Sequence, residues 1–342
     1  SKYIYESIAA GLHVLSDKPM AISRDDFELL KSSYELARAN DLILYDMMTE
    51  RYDVLNIVEQ KLINNKELFG EIENGTETNP GIAMESVHHF YKEVADQPLI
   101  RPAWYYDVEQ QGEGIADVTT HLIDLAHWKC FPEQVIDYEK EVQVVSATRW
   151  PTKLTLSEFT KSTNKATFPD FLDKYIKSNK LEVNANGTIH YQIKGVNVAL
   201  KVIWNYSAPE GGGDTFSSTI RGSKAIMRTI QNEKTGFIKE LHVEKTATMG
   251  KEEFNINLQK AIEGIDKNLF SIEVEPSSIN KDGFLIAVSK KENSEHEYHF
   301  QYMTANFLNY LVNQNLPDWE FSNTLAKYHI ITAAVDMAKD IE

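Results

Sequence analysis

The chain has 342 residues, 42% hydrophobic, 25% charged and 11% aromatic, a globular composition long enough for two domains or for one large domain with an appendage. A formal net charge of −16 repels polyanions, which argues against nucleic acid and anionic membrane surfaces as partners, and no apolar run reaches the roughly 18 residues needed to span a bilayer. The only cysteine, Cys130, rules out an internal disulfide and a cysteine-rich metal site, and reads as a small buried hydrophobe.

Residues 2–10 read as a helix ending at Gly11, followed by a short apolar strand through Val14 and Leu15. That strand stops at Asp17-Lys18-Pro19, because proline cannot continue a central strand. Lys18 is thereby presented at a carboxyl-terminal strand edge, where ligands bind in open parallel α/β sheets. Ser23 is the expected cap of a helix running to about Ala39, with Asp25 and Asp26 in its first turn. A buried strand over 42–47 follows. Residues 1–48 therefore read as the tail of a doubly wound domain, and 49–342 as a second domain that opens with Arg51, Tyr52 and a helix over 50–64.

Beyond this point strands dominate. They are expected near 83–91, 138–148, 215–220, 225–230, 237–245, 270–275 and 284–288, with a long strand whose Val196, Val198, Leu200, Val202, Trp204 and Tyr206 share one face. Turns are expected at Asn186-Gly187, Arg221-Gly222-Ser223 and Asp282-Gly283, and the Gly211–Gly213 cluster after Pro209 as a loop. Helices are expected at 115–128, 156–176, 252–266, 300–313 and 323–341. The fold class is α/β plus α+β: a remnant of a doubly wound, Rossmann-like domain, then a large, mostly antiparallel open sheet covered on one side by helices.

The chemistry concentrates in one segment. Asp117, His121 and Asp124 are spaced by four and three, which on a helix stacks them one turn apart beside Val118, Leu122 and Leu125. A histidine exchanges protons near neutrality, and a carboxylate one turn away fixes its tautomer. The alternative is the solvated face of an ordinary amphipathic helix. Trp104, Tyr105, Tyr106 and Asp107 come just before, and aromatic faces beside a carboxylate suit a sugar, core packing being the alternative for each ring. His88 and His89 share a predicted strand, so only one faces a site; no ligand spacing supports a metal.

Two separated motifs, Gly11-Leu-His13-Val14-Leu15-Ser-Asp17-Lys18-Pro19 and Gly112-Glu113-Gly114 leading to Asp117 and His121, resemble those of the glucose-fructose oxidoreductase and inositol dehydrogenase family of nicotinamide-dependent sugar oxidoreductases. Asp17 stands where the family has glutamate, and Glu113 interrupts the glycines. The resemblance implies an oxidoreductase of bacterial carbohydrate metabolism acting on a sugar, polyol or sugar derivative with NAD or NADP. It places Lys18 near the nicotinamide ribose and the substrate hydroxyl, with Pro19 beside the cofactor. It makes His121 the acid/base and has Asp117 orient the substrate or the histidine. Trp104, Tyr106, Asp107, His88 and Asp124 are the candidate substrate contacts. It also implies a homodimer or higher oligomer formed through the uncovered sheet face. Two relatives of other classes stay open: a glycoside hydrolase that uses the cofactor transiently, and a non-catalytic sugar-binding sensor. No G-x-G-x-x-G turn is present, so the chain is expected to begin inside its cofactor domain, to bind NAD(H) negligibly and to be inactive as a fragment. A cytoplasmic location is the expectation, with a periplasmic one open.

Overall fold

The computed structural model describes residues 1–94, 97–265, 270–290 and 296–340. Helix α1 (Lys2–Ala9) buries Ile4 and Ile8, one turn apart, and the chain leaves it through Gly11 at φ 82°, a conformation that favours glycine. Strand β1 (Val14–Ser16) follows, then α2 (Arg24–Ala39), where the Ser23 hydroxyl accepts from the Asp26 N–H. Strand β2 (Leu44–Asp46) lies parallel to β1, with Ser16 opposite Asp46. The helix expected over 50–64 is split. A 3-10 turn (Thr49–Tyr52) ends at Asp53, whose carboxylate caps α3 (Val54–Ile63) at the Leu55 N–H, 2.9 Å away.

Strand β3 (Ile82–Tyr91) comes next, and then α4 (Thr119–Cys130), which starts four residues later than the expected 115. Residues 114–118 form tight turns instead, in which Ala116 and Asp117 both donate to the Glu113 carbonyl. The strand expected over 138–148 begins at Val142 after a short helical turn capped by Asp137, and continues as β4 to Leu154. Spacing predicts a single helix over 156–176. It is broken into α5 (Leu156–Thr163), held by a Thr155/Glu158 capping box, and a 3-10 turn over Asp170–Tyr175, because Asn164 turns left-handed at φ 56° and Pro169 blocks continuation.

The largest correction concerns Asn186-Gly187, which is not a turn. Both residues lie inside a strand absent from the expected set, β5 (Lys180–Ile193). The turn is Lys194-Gly195, both at positive φ, and it joins β5 to β6 (Val196–Ser207). Asn186 works as a cross-strand tie: its amide donates to the Trp150 carbonyl and Thr152 Oγ1, both at 2.9 Å, and its oxygen accepts from the Trp204 N–H at 2.8 Å. Gly187 is demanded by packing, since a Cβ there would stand 1.9 Å from Ile115.

Strands β7 (Thr215–Arg221), β8 (Ala225–Gln231) and β9 (Glu240–Lys245) precede α6 (Lys251–Glu263), and β10 (Phe270–Pro276) and β11 (Gly283–Lys290) precede α7 (His296–Asn313). The last helix, α8 (Asp318–Met337), starts just after Pro317, ahead of the expected 323; residues 266 and 341 of the expected helices lie outside the described residues. Together the strands form one large sheet in the order β10-β11-β9-β8-β7-β3-β6-β5-β4. Its pairings are antiparallel except β3 with β6 and a short parallel pairing of Lys339–Asp340 with β4. On β6, Val196, Val198, Leu200, Val202 and Trp204 are buried while the alternate residues are less covered. Helix α4 packs on β6 and α8 on β4. This is the mixed α/β architecture with a large, mostly antiparallel, helix-covered sheet that the patterning predicts.

Candidate active site

Lys18 sits where β1 ends, with a cis peptide bond to Pro19, and its ammonium is ion-paired with Asp117. Two glycines allow this approach. A Cβ at Gly112 would meet Ile22 at 3.1 Å and lies 3.7 Å from the Pro19 ring; a Cβ at Gly114 would stand 1.9 Å from the Ala185 carbonyl oxygen of β5. The turn carrying Asp117 is thus wedged between the 18–22 loop and the sheet, and only backbone without side chains fits there.

His121 lies in the first turns of α4. Burial, followed by the nearby Lys18 ammonium, pulls its pKa down to about 4, against smaller opposing effects of Glu50, Asp117 and Asp124. The imidazole is therefore neutral near pH 7. Its Nδ1 is buried without a hydrogen-bond partner. The spacing predicts a carboxylate fixing the tautomer of His121. Asp117 bonds Lys18 instead.

Asp124 points elsewhere. Arg51 grips it bidentately at 2.7 Å and 2.7 Å, Lys327 bonds it at 2.9 Å, and Arg51 also bonds both oxygens of Glu320 at 2.9 Å. Lys327 reaches Asp46 on β2 as well, at 2.8 Å. All five side chains are buried. Burial opposes the Asp124 charge, yet Arg51 and Lys327 hold its carboxyl well below the usual range, while burial raises Asp46 and Glu320, the carboxylates in excess. This network fastens β2 and the turn after it to α4 and α8, so Asp124 is part of the scaffold and has no oxygen left for substrate.

The other candidates separate. Tyr106 is fully buried, stacked on Phe90 with ring centroids 5.0 Å apart, and its hydroxyl donates to Ser162 at 2.7 Å. Asp107 caps the helical turn Val108–Gln111 and accepts from Tyr175 at 2.9 Å. Burial opposes its charge, but the Gln110 and Tyr175 hydrogen bonds leave its pKa lowered. Trp104 is 48% exposed. His88 stacks on Trp204 at 4.9 Å and bonds Ser86 Oγ at 2.7 Å; both His88 and its neighbour His89 reach Asp214, at 3.5 Å and 3.0 Å. The aromatics beside Asp117 are Tyr105 and Trp204, which with Gln111 and Asn184 line a small, shallow recess. Spacing gave no cue to this: Trp204 comes from β6, 87 residues after Asp117 in the chain, and neighbouring rings in the 3-10 turn Ala103–Tyr106 face different ways.

A family model described as "Putative oxidoreductase C terminal domain" matches residues 58–339. The chain belongs to this oxidoreductase family. A "putative oxidoreductase" from Parabacteroides merdae ATCC 43184, known from a crystal structure, is 40% identical, with a TM-score of 0.94 over 98% of this chain and 76% of that one. The fold alone is shared with two more distant structures. One, of the same description, is from Thermotoga maritima, at 17% identity, TM-score 0.56, and 97% and 72% coverage. The other is KijD10, a 3-ketoreductase from Actinomadura kijaniata in complex with NADP, at 14% identity, TM-score 0.54, and 99% and 74% coverage. No curated protein matches the chain. Among the described residues no helix is long and apolar enough to cross a membrane.

Proposed function

We propose that the protein is a nicotinamide-dependent oxidoreductase of the glucose-fructose oxidoreductase and inositol dehydrogenase type, acting on a sugar, polyol or sugar derivative. In this reading residues 1–48 close the dinucleotide domain and 49–342 carry the substrate. The observation that carries it is the meeting of the Lys18–Asp117 ion pair with a neutral His121 at the carboxyl edge of the parallel β1–β2 pair. These residues fit NAD or NADP: an ammonium at a strand edge suits the nicotinamide ribose, with Pro19 beside it, and the imidazole has an unclaimed nitrogen.

A bound nicotinamide supplies the hydride acceptor. His121 takes the proton of the reacting hydroxyl at Nε2, which requires the neutral ring that burial provides. Lys18 steadies the negative charge that gathers on that oxygen, and Asp117 holds the ammonium in place. The test is nicotinamide reduction by the whole gene product over a panel of sugars, for wild type, Lys18→Ala and His121→Ala. Loss of turnover in both variants is the expected result, and retained turnover in both overturns the roles. Sugar release without net change in nicotinamide absorbance would instead mark a redox-assisted hydrolase, and saturable binding without turnover a sensor.

A further inference from the structure

The buried network behind the Lys18 edge is one positive charge short. It holds two cations, Arg51 and Lys327, against three carboxylates, Asp46, Asp124 and Glu320, and none of the five is more than 7% exposed. The other titratable groups that bear on it among the described residues supply no countercharge. Burial brings His127 down to about 3, and burial with the Lys18 ammonium brings His121 to about 4, so both rings are neutral near pH 7. The hydroxyls facing the carboxylates, Tyr34 of α2, Tyr45 of β2 and Tyr328 of α8, are pushed by burial well above their ordinary value. Fully ionised, the cluster would keep one unbalanced negative charge almost out of reach of water, a state that buried groups escape by taking up a proton.

The three carboxyls are not held equally. Asp124 accepts three charge-assisted hydrogen bonds, from Arg51 Nε and Nη2 at 2.7 Å each and from Lys327 at 2.9 Å, and Glu320 meets Arg51 Nη1 with both oxygens at 2.9 Å. Asp46 has Lys327 Nζ 2.8 Å from its Oδ2, with neither oxygen in hydrogen-bond alignment among the described residues. From this count and these contacts we infer that the network holds one proton at neutral pH, that Asp46 carries it as a neutral carboxylic acid, and that alkali loosens β2 from α8 by removing it. Hydrogen bonds to the charged form keep Asp124 and Glu320 ionised, which leaves the least bonded carboxyl as the one to neutralise. The five groups titrate together, so the proton belongs to the network first and to Asp46 by its contacts. The upward effect of burial on Asp46 runs the same way.

The position of this proton gives it a consequence. Asp46 ends β2 and pairs with Ser16, two residues before Lys18, so the seat of the Lys18 edge on α8 depends on a bound proton. The inference goes beyond the oxidoreductase reading and is independent of it, since its test needs no turnover.

The experiment compares the infrared carbonyl band of protonated carboxylic acids, near pH 7, in the whole gene product and its Asp46→Asn variant, each also prepared with aspartate carrying carbon-13 in the side-chain carboxyl. Expected is a wild-type band that moves on labelling and is absent from Asp46→Asn. Denaturant unfolding gives a second readout. The unfolded carboxyl releases its proton near the ordinary 3.8 while the folded one keeps it, so the wild type loses stability as pH rises through that window. Asp46→Asn lacks this loss, and its unfolding constant should fall relative to the wild type by about tenfold or more between pH 4 and 7, at up to about tenfold per pH unit. The labelled wild type decides by itself should the variant not fold. No carboxylic-acid band, or one that labelling leaves in place and so belongs to a glutamate, overturns the assignment to Asp46. A ratio of unfolding constants that does not change with pH, or an Asp46→Asn variant as destabilised at pH 7 as Asp124→Asn, marks an ionised Asp46 and overturns it as well.

Discussion

Lys18 and Asp117 are 99 residues apart in the chain and share an ion pair in which the carboxylate is 7% exposed and the ammonium 20%. Removing the cation leaves a largely buried carboxylate uncompensated. Lys18→Ala is expected to lower kcat/KM by about 10²- to 10⁴-fold, the usual range for losing a group that handles charge or protons in the transition state, and to lower stability by about 1–3 kcal/mol. Steady-state kinetics and urea unfolding measure the two; a variant with wild-type kinetics contradicts the role given to Lys18.

The pH dependence follows from His121. Its folded-state pKa of about 4 lies below the ordinary value of 6.5, so between those pH values the unfolded chain binds a proton that the folded one does not, and stability falls as pH drops through that window. His127, brought to about 3 by burial, acts in the same direction. His121→Gln should make the slope of unfolding free energy against pH shallower by up to one proton between pH 4 and 6.5. In the wild-type enzyme the acid limb of kcat/KM should fall nearer pH 4 than 6.5. An acid limb centred at 6.5 would show an exposed, unperturbed imidazole.

The Arg51–Asp124–Lys327 network predicts a stability effect. Asp124→Asn removes the charge that both Arg51 and Lys327 bond, and a loss of about 3–5 kcal/mol is expected, as for one broken partner of a buried pair. The double replacement Arg51→Met with Asp124→Leu should lose less than the sum of its single changes. Denaturant titration decides it, and strict additivity would mean the groups do not depend on one another.

Glycine substitutions give a paired test. Gly114→Ala drives a Cβ into the Ala185 carbonyl, whereas at Gly264 the nearest atom is 3.6 Å away and the backbone is helical. The first should be destabilised by about 1–3 kcal/mol and impaired in turnover, because the Asp117 turn is pushed off the sheet. The second should be neutral or gain a few tenths of a kcal/mol, up to about 1 kcal/mol. Equal melting temperatures for the two variants would contradict the wedge.

Local signals were legible in the sequence where their cause was local. The Ser23 cap, the proline after Lys18, the chain reversals next to Gly222 and Gly283 and the alternation along β6 each depend on neighbours in the chain. What escaped was set from a distance. Asn186-Gly187 has turn composition but serves as a tie and a gap for Ile115, both dictated by elements far off in the chain. Asp124 has the right spacing to join His121, but Arg51 and Lys327 claim it. Tyr105 and Tyr106 are adjacent and chemically alike, and only packing decides which lines the recess and which enters the core.

The parallel union of β3 with β6 has a bearing on biosynthesis. Ile82 pairs with Val198, so a strand already outside the ribosome waits for a partner made 116 residues later, an interval of about 6–23 s at roughly 5–20 residues per second. Its other neighbour, β7, emerges later still. For that time a ten-residue segment with Ile82, Met84 and Phe90 on it has neither edge satisfied, the condition under which nascent chains aggregate or engage chaperones. Yield in cells should therefore respond to translation speed between these two strands.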